Sequence, residues 1–292
     1  MGQPFNSVGL IGRYGDSSVG DALKTLSNYL KHRAIKVWLE EATANRVPDH
    51  GLETASLSTM GTSCDLVIVV GGDGTLLNAA RALVGYSIPL LGINLGRLGF
   101  LVDLSASEML VRLDEILDGH YLQEERILLH TEILREGKCV SSSDALNDVV
   151  VHKWNVARMI ELDTYINGQF VNNHRSDGII IATPTGSTAY ALSSGGPILH
   201  PALDAIVLVP ICPHTMSNRP IVVQGGSQIE IVVKDSARSH ARVTCDGQIT
   251  LNLAPGDLIK IQKKDQPIRL LHPANHDPYA ILRAKLHWGG QL

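Results

Sequence analysis

Val67-Ile68-Val69-Val70-Gly71-Gly72-Asp73-Gly74-Thr75-Leu76-Leu77 changes character in mid-course. An apolar, β-branched run stops at two glycines, a carboxylate, a third glycine and a hydroxyl, and amphipathic sequence then resumes. That order predicts a buried strand, a tight turn and the start of a helix. Glycines let a backbone approach a ligand closely. A helix N-terminus offers free N–H groups and partial positive charge, which suit phosphate oxygens. Asp73 is the one charged group in the turn, and it repels phosphate unless a cation or a proton-accepting task accompanies it. A glycine cradle with one carboxylate therefore fits phosphoryl transfer better than simple anion binding, although a helix-capping Asp in a glycine-rich turn would also account for it.

Two better-known glycine motifs are absent. The dinucleotide fingerprint G-x-G-x-x-G fails because Leu77 stands where the third glycine belongs. The string G-x-x-x-x-G-K-[ST] does not occur anywhere in the chain.

Upstream, Ser7–Gly12 reads as a first strand, and Val19, Ala22, Leu23, Leu26 and Leu30 mark a helix at three- and four-residue spacing. Ile35–Leu39 reads as a second strand, while residues 40–63 carry no clear pattern. Downstream, Ile88–Ile93 reads as a further strand that ends in Asn94-Leu95-Gly96-Arg97-Leu98-Gly99-Phe100-Leu101. Ser105 with Glu108 has the form of a capping box for a helix bearing Leu110, Leu113, Ile116 and Leu117. Strands alternating with helices predict a doubly wound, mostly parallel sheet over residues 1–122.

Near Tyr121 the pattern shifts. From Arg126 to Leu271 helical spacing nearly vanishes, and strand and turn signals repeat. Asn167-Gly168 reads as a hairpin turn. Strands at Ile221–Val223, Gln228–Lys234, Arg242–Cys245, Ile249–Leu253 and Leu258–Gln262 follow, parted by Gly-Gly, a charged loop, Asp-Gly and Pro-Gly-Asp. Residues 123–271 are thus expected to form an all-β sandwich. Ile281, Leu282, Lys285 and Leu286 signal one last helix, so residues 272–292 are expected to pack back on the α/β domain.

At 292 residues the chain has room for two domains. A net charge of −4 gives no basic footprint and 4% aromatics leave little for base stacking, which disfavours nucleic acid. Cys64, Cys139, Cys212 and Cys245 lie far apart without a C-x-x-C pair, so reduced thiols are expected rather than zinc or redox chemistry. Residues 1–6 lack signal-peptide and myristoylation features, and no apolar run approaches the ~20 residues of a membrane span. A cytoplasmic location is expected.

Other candidate chemistry lies downstream. Residues 178–203 contain no formally charged side chain, yet Tyr190, Leu192 and Ile198 are too apolar for a plain linker. Such a loop suits the lining of a polar-ligand site, with its Ser and Thr hydroxyls as donors and acceptors. Arg175 and Asp177 before the strand Ile179–Ala182 fit either a site or a surface ion pair. Asn147-Asp148 fits either a ribose contact or turn chemistry. Asp246-Gly247-Gln248 reads as a tight hairpin turn, and His214 as a hydrogen-bonded structural residue. The remaining histidines show no H-E-x-x-H spacing, and G-x-S-x-G is absent.

Taken together, Gly71-Gly72-Asp73-Gly74-Thr75, Asn94-x-Gly96-x-x-Gly99-Phe100-Leu101, Asn147-Asp148, Asp177-Gly178, Thr183-Pro184-Thr185-Gly186-Ser187-Thr188-Ala189-Tyr190, Pro213-His214 and Asp246-Gly247-Gln248 resemble the bacterial NAD kinases, which phosphorylate NAD to NADP. The likeness covers nearly the whole chain. It implies an active site between the α/β domain and the sandwich, with Asp73 as general base for the adenosine 2′-hydroxyl and Gly74 in the same contact. It implies that Gly71, Gly72, Gly74 and Thr75 hold the phosphate donor. Asn147, Asp148, Thr188, Ala189 and Tyr190 would hold adenine and its ribose. Asp177 and Arg175 would face the nicotinamide half, across a subunit interface of a homodimer or homotetramer. Arg158, Ala191, Leu192, Ser193 and Gln248 complete the implied NAD contacts, and Asn78 is a further polar position of the pattern. The chain departs from the family at Asp148, where glutamate is commoner; aspartate reaches one methylene less far. The resemblance implies ATP, with polyphosphate as a second possible donor, and a divalent cation, Mg²⁺, to neutralise donor phosphates beside Asp73. Arg97, inside the Asn94–Leu101 loop, fits either a further charge for the donor or a solvated loop arginine.

Two rival readings share these residues. A lipid or sugar kinase would use the same Gly-Gly-Asp-Gly turn, but the chain lacks a membrane-binding amphipathic helix. A non-catalytic NAD-binding regulator would have no use for an anion at position 73.

Overall fold

The structure, a computed structural model, describes residues 5–13, 17–47, 50–96, 98–154, 158–215, 217–234, 241–254 and 256–288. Arg97 lies outside them. The chain runs β1 (Ser7–Gly12), α1 (Ser17–His32), β2 (Lys36–Glu40), α2 (Glu41–Ala44), β3 (Glu53–Ala55), α3 (Leu57–Ser63), β4 (Leu66–Val70), α4 (Asp73–Leu83), β5 (Pro89–Asn94), β6 (Leu104–Ser105), α5 (Met109–Leu117) and β7 (Tyr121–Arg126). Then come β8 (Leu129–Arg135), β9 (Lys138–Ala145), β10 (Asp148–Lys153), β11 (Ile160–Ile166), β12 (Gln169–Ser176), β13 (Gly178–Ala182), α6 (Tyr190–Ser193), β14 (Ala205–Ile211), β15 (Ile221–Gln224), β16 (Ile229–Val233), β17 (Ala241–Cys245), β18 (Ile249–Asn252) and β19 (Leu258–Lys263). The last elements are β20 (Ile268–Pro273) and α7 (Pro278–Leu286). Two compact units result, one from residues 1–125 and 268–292, the other from residues 126–267.

The first unit is the expected α/β domain. Its sheet has the order β3-β2-β1-β4-β5-β20-β7, with β6 paired to β5. From β3 through β20 the neighbours run parallel. A parallel strand covered on both faces reads as continuous apolar sequence, and every residue of β4 is buried. The core gathers Leu23, Leu26 and Leu30 of α1, Leu113 and Ile116 of α5, and Ile68, Leu91 and Leu271 of the sheet.

Strand order corrects both bounds of the expected sandwich: residues 123–125, grouped with it above, belong to β7 at the edge of the first sheet. Ile268–Leu271, grouped above with the sandwich, is the start of β20, which lies parallel to β5 in the first sheet. The chain therefore returns to the α/β unit with a strand as well as with α7. A second difference concerns α5, which starts at Met109, so Ser105 donates to the Glu108 carboxylate and neither side chain caps the helix.

The second unit is two antiparallel six-stranded sheets, ordered β15-β14-β13-β10-β17-β18 and β12-β11-β16-β19-β8-β9. Alternate residues of β16 and β19 turn inward, where Ile229, Ile231, Ile259 and Ile261 meet Val149, Val151, Ile179 and Ile181 of the facing sheet. Asn167 and Gly168 both have positive φ, and Ile166 pairs with Gln169, as the hairpin reading required. β13 breaks the alternation because both of its faces are covered. Ala191 and Leu199 of the uncharged stretch pack on Val150, Ile180, Ala182, Val207 and Val209 across its outer face. Packing, and not ligand contact alone, thus explains the apolar residues in that stretch.

Among the described residues no helix is long and apolar enough to cross a membrane.

Candidate active site

In the first unit, β4 delivers Gly71 and Gly72 to the N-terminus of α4, where Asp73 is the first helical residue. Gly71 N–H donates to the Ile93 carbonyl (2.8 Å), tying the turn to the end of β5. A Cβ on Gly71 would lie 2.6 Å from the Thr75 hydroxyl, so glycine is required there, while Gly72 faces open space.

The Asp73 carboxylate is built into a second glycine turn. Its Oδ2 accepts from Phe100 N–H (2.9 Å), and its Oδ1 accepts from Leu101 and Val102 N–H (3.1 Å each). A carboxylate has about four acceptor positions, so one remains on Oδ2 for a further partner. Gly99 makes this approach feasible, since a Cβ there would overlap Asp73 Oδ1. Asn94 holds the start of the same loop by accepting from Gly96 N–H (2.8 Å). The two glycine motifs are therefore parts of one construction. Asn78, exposed on α4, accepts from the Arg81 guanidinium at 3.5 Å.

In the second unit a cavity of about 500 Å³ is lined by Asn147, Asp148, Val150, His152, Lys153, Asp177, Ala189, Tyr190, Ile211, Thr244, Asp246 and Gly247. Asp246 organises its floor. It sits at the hairpin turn with φ of 52°, a left-handed conformation that asparagine and aspartate tolerate. From there its carboxylate accepts from the N–H groups of Leu146 (3.1 Å), Asn147 (2.7 Å) and Asp148 (3.2 Å). The turn reading of Asp246-Gly247-Gln248 holds, and the same turn also shapes the cavity.

Thr183 locks the other wall. Its hydroxyl donates to the Leu146 carbonyl (2.6 Å) and accepts from Gly186 N–H (3.1 Å). Gly186 is pressed on the Asn147 carbonyl so closely that a Cβ would overlap it. Ser187 closes the loop, donating to Pro184 O (2.6 Å) and accepting from Leu199 N–H (2.9 Å). These hydroxyls serve the loop itself and leave Tyr190, 47% exposed, as the large side chain at the cavity.

Asp148 is 4% exposed. Burial first, and the neighbouring Asp246 charge second, push its carboxyl up to about 7. At neutral pH it therefore exchanges readily between hydrogen-bond donor and acceptor. Lys153 Nζ meets Asp177 Oδ1 at 2.6 Å, so the two charges in that corner are paired.

Of the residues expected to hold the dinucleotide, Asn147, Asp148, Asp177, Ala189 and Tyr190 come together at this cavity. Thr188 donates to the Thr185 carbonyl, and Ala191 is buried in apolar packing. Leu192 is half-buried and Ser193 exposed on α6, outside the lining. Arg158 and Gln248 are exposed and also outside it. Arg175 is exposed on the edge strand β12, where its carbonyl accepts from His214 N–H. His152, Lys153 and Thr244 line the cavity without having been expected. The strand period could have flagged two of them, since His152 lies two residues beyond Val150 and Thr244 faces Val150 across the ladder, whereas Lys153, at odd spacing, carries no such signal.

The comparisons with known proteins agree over the whole chain. Residues 8–121 match the family model of the ATP-NAD kinase N-terminal domain, and residues 146–272 that of the C-terminal domain. Proteins named NAD kinase from Pseudomonas fluorescens and Pseudomonas entomophila are each 52% identical over 290 residues, covering 99% of this chain and 98% of theirs. A yeast NADH kinase crystallised with NADH superposes with a TM-score of 0.88 at 26% identity, covering 99% of this chain and 90% of that one. An NAD kinase from Archaeoglobus fulgidus in complex with ATP gives 0.75 at 27% identity, covering 96% and 98%. With both family models matched in order and relatives at that identity aligned end to end, this chain belongs to the ATP-NAD kinase family.

Proposed function

We propose that the chain transfers the γ-phosphate of ATP to the 2′-hydroxyl of the adenosine ribose of NAD, with Asp73 as the general base. The observation that carries this reading is the Asp73 carboxylate, fixed through three backbone N–H groups at a helix N-terminus made of glycines. A sugar hydroxyl is a weak nucleophile, and a positioned carboxylate assists by taking its proton as the bond to phosphorus forms. The acceptor position left on Oδ2 suits that task. The helix N-terminus and the backbone of Gly71, Gly72, Gly74 and Thr75 receive the donor phosphates. Because three acceptor positions of Asp73 are engaged, Mg²⁺ arrives with the nucleotide phosphates as part of the substrate.

NAD is held by the second unit. Asn147 and Asp148 take polar groups of the adenosine half, Tyr190 offers its ring face to the base, and Asp177 with Lys153 receives the nicotinamide half. Thr188, Ala189, Ala191, Leu192 and Ser193 support Tyr190 through the backbone of α6 and the turn before it. Arg158 and Gln248, both exposed, contact bound NAD from the rim. Arg175, exposed on an edge strand, serves a neighbouring subunit. Exposed Phe170 and Val171 on edge strand β12, and Ile221 and Val222 on edge strand β15, support such self-association into a dimer or tetramer. The work place proposed is the cytoplasm.

Incubating the pure protein with ATP, Mg²⁺ and NAD should yield NADP and ADP in equal amounts. Binding of NAD without NADP formation would instead identify a regulator, and phosphorylation of a lipid or free sugar alone would identify the rival kinase class. The same assay with polyphosphate replacing ATP defines the donor range, and light scattering reads the oligomer.

A further inference from the structure

Four side chains brought together in the α/β unit play no part in the chemistry above. His272 is the penultimate residue of β20, His276 follows in the turn before α7, Glu124 lies on β7, and Asp103 precedes β6. The imidazoles are stacked, with centroids 3.9 Å apart. The side chains of His272 and His276 are only 2% and 3% exposed.

Their hydrogen bonding fixes the chemistry. Asp103 Oδ1 lies 3.3 Å from His272 Nδ1, and Asp103 Oδ2 lies 2.5 Å from His276 Nδ1. An ionised carboxylate only accepts, so both Nδ1 atoms carry the proton and donate. Each neutral ring then presents its Nε2 lone pair. Both Nε2 atoms are buried and have no hydrogen-bond partner among the described residues. Each faces a Glu124 oxygen, at 3.7 Å from His272 and 3.9 Å from His276. Those separations are too long for hydrogen bonds. They are shorter than a zinc–nitrogen and a zinc–oxygen bond laid end to end, about 4.2 Å together. Filling the gap with protons instead would place positive charge on both of two stacked rings, whereas one divalent ion serves both nitrogens and the carboxylate.

We propose that His272 Nε2, His276 Nε2 and the Glu124 carboxylate bind one divalent transition-metal ion of the zinc class, with Asp103 orienting both imidazoles. Two imidazoles and a carboxylate match the ligand preference of zinc and differ from the all-oxygen sets of Mg²⁺. A carboxylate on the far nitrogen of each ligating histidine is the usual outer support of such sites. The ion would clasp β7 to the returning segment that carries β20 and α7.

The test uses the full chain, stripped with a chelator and kept free of nucleotides. Co²⁺ should bind at one equivalent with the visible ligand-field bands of a low-coordinate site, Zn²⁺ should displace it, and Zn²⁺ should raise the melting temperature. His276→Phe keeps a ring of similar size and should abolish uptake. Glu124→Gln should remove the bands, and Asp103→Asn should weaken binding by ~10–100-fold. Failure of the wild-type protein to bind Co²⁺ or Zn²⁺ stoichiometrically overturns the proposal. So does unchanged binding in both His276→Phe and Glu124→Gln, which would place the ion elsewhere. The wild-type titration decides the matter even if a variant fails to fold.

Discussion

Asp73 carries both a structural and a chemical load, and the two can be separated. Asn in its place must turn an NH₂ toward at least one of the three backbone donors, leaving that N–H unpaired at a cost of ~1–3 kcal/mol. It also removes the base. Asp73→Asn is therefore expected to lower kcat by at least ~10²-fold, with NAD binding retained and melting shifted only modestly. Near-normal turnover would remove Asp73 from the mechanism. Gly99→Ala probes the same carboxylate from the opposite side, because its Cβ would displace Oδ1. A fall in kcat in that variant, with KM for NAD little changed, is expected from steady-state kinetics. The sequence made Asp73 legible as the odd charge among glycines. Its clamp was not legible, since nothing in residues 100–102 announces that their N–H groups turn toward a side chain 27 to 29 positions earlier. Asp148 makes a prediction in pH. Its folded pKa, about 7, lies above the ordinary 3.8. Between those values the folded chain holds a proton that the unfolded chain has lost, so this group makes stability fall as pH rises through that window. Above about pH 7 the penalty is fully present. Asp148→Asn should flatten that part of the stability profile and raise the melting temperature at pH 8, measured by calorimetry.

At the scale of elements, the uncharged stretch after β13 acts as a strap. Its hydroxyls bond to the strap and to β10's leading residues, and its apolar residues cover the sheet. Sequence reading identified the strap but assigned its hydroxyls to a ligand, because a Thr or Ser in a loop looks alike whether it faces a substrate or its own backbone. The structure separates the two: Thr183, Thr185 and Ser187 are buried, while Tyr190 is exposed at the cavity. Tyr190→Ala should therefore raise KM for NAD far more than KM for ATP, and equal effects on both would count against the assignment. Gly186→Ala tests the strap itself. The added methyl meets backbone rather than a movable side chain, so relief requires shifting the strap from Asn147. Overpacking of this kind costs ~1–3 kcal/mol and sometimes more. A lower melting temperature together with weaker NAD binding is the expected result, read by thermal denaturation and titration.

Across the whole molecule, the two units differ in how their chain segments are supplied. The sandwich is continuous, residues 126–267, and its sheets and core close without the rest of the chain. The α/β unit is interrupted, and β20 fills the place between β5 and β7. Sequence alone assigned Ile268–Leu271 to the sandwich because an apolar strand after twelve others looks like the thirteenth, and only long-range pairing distinguishes them. The consequence for folding is asymmetric. Ile268, Leu270 and Leu271 are 0–2% exposed. Each such side chain contributes ~1.5–3 kcal/mol on burial, about 5–9 kcal/mol together. That is comparable with the entire net stability of an ordinary domain, ~5–15 kcal/mol. Residues 126–267 expressed alone should thus give a cooperative melt and a dispersed amide spectrum, whereas residues 1–125 alone should not. Joining residues 1–125 to 268–292 through a flexible linker should restore a folded α/β unit. A folded, monomeric 1–125 fragment would show instead that β20 is an accessory to a sheet already stable without it.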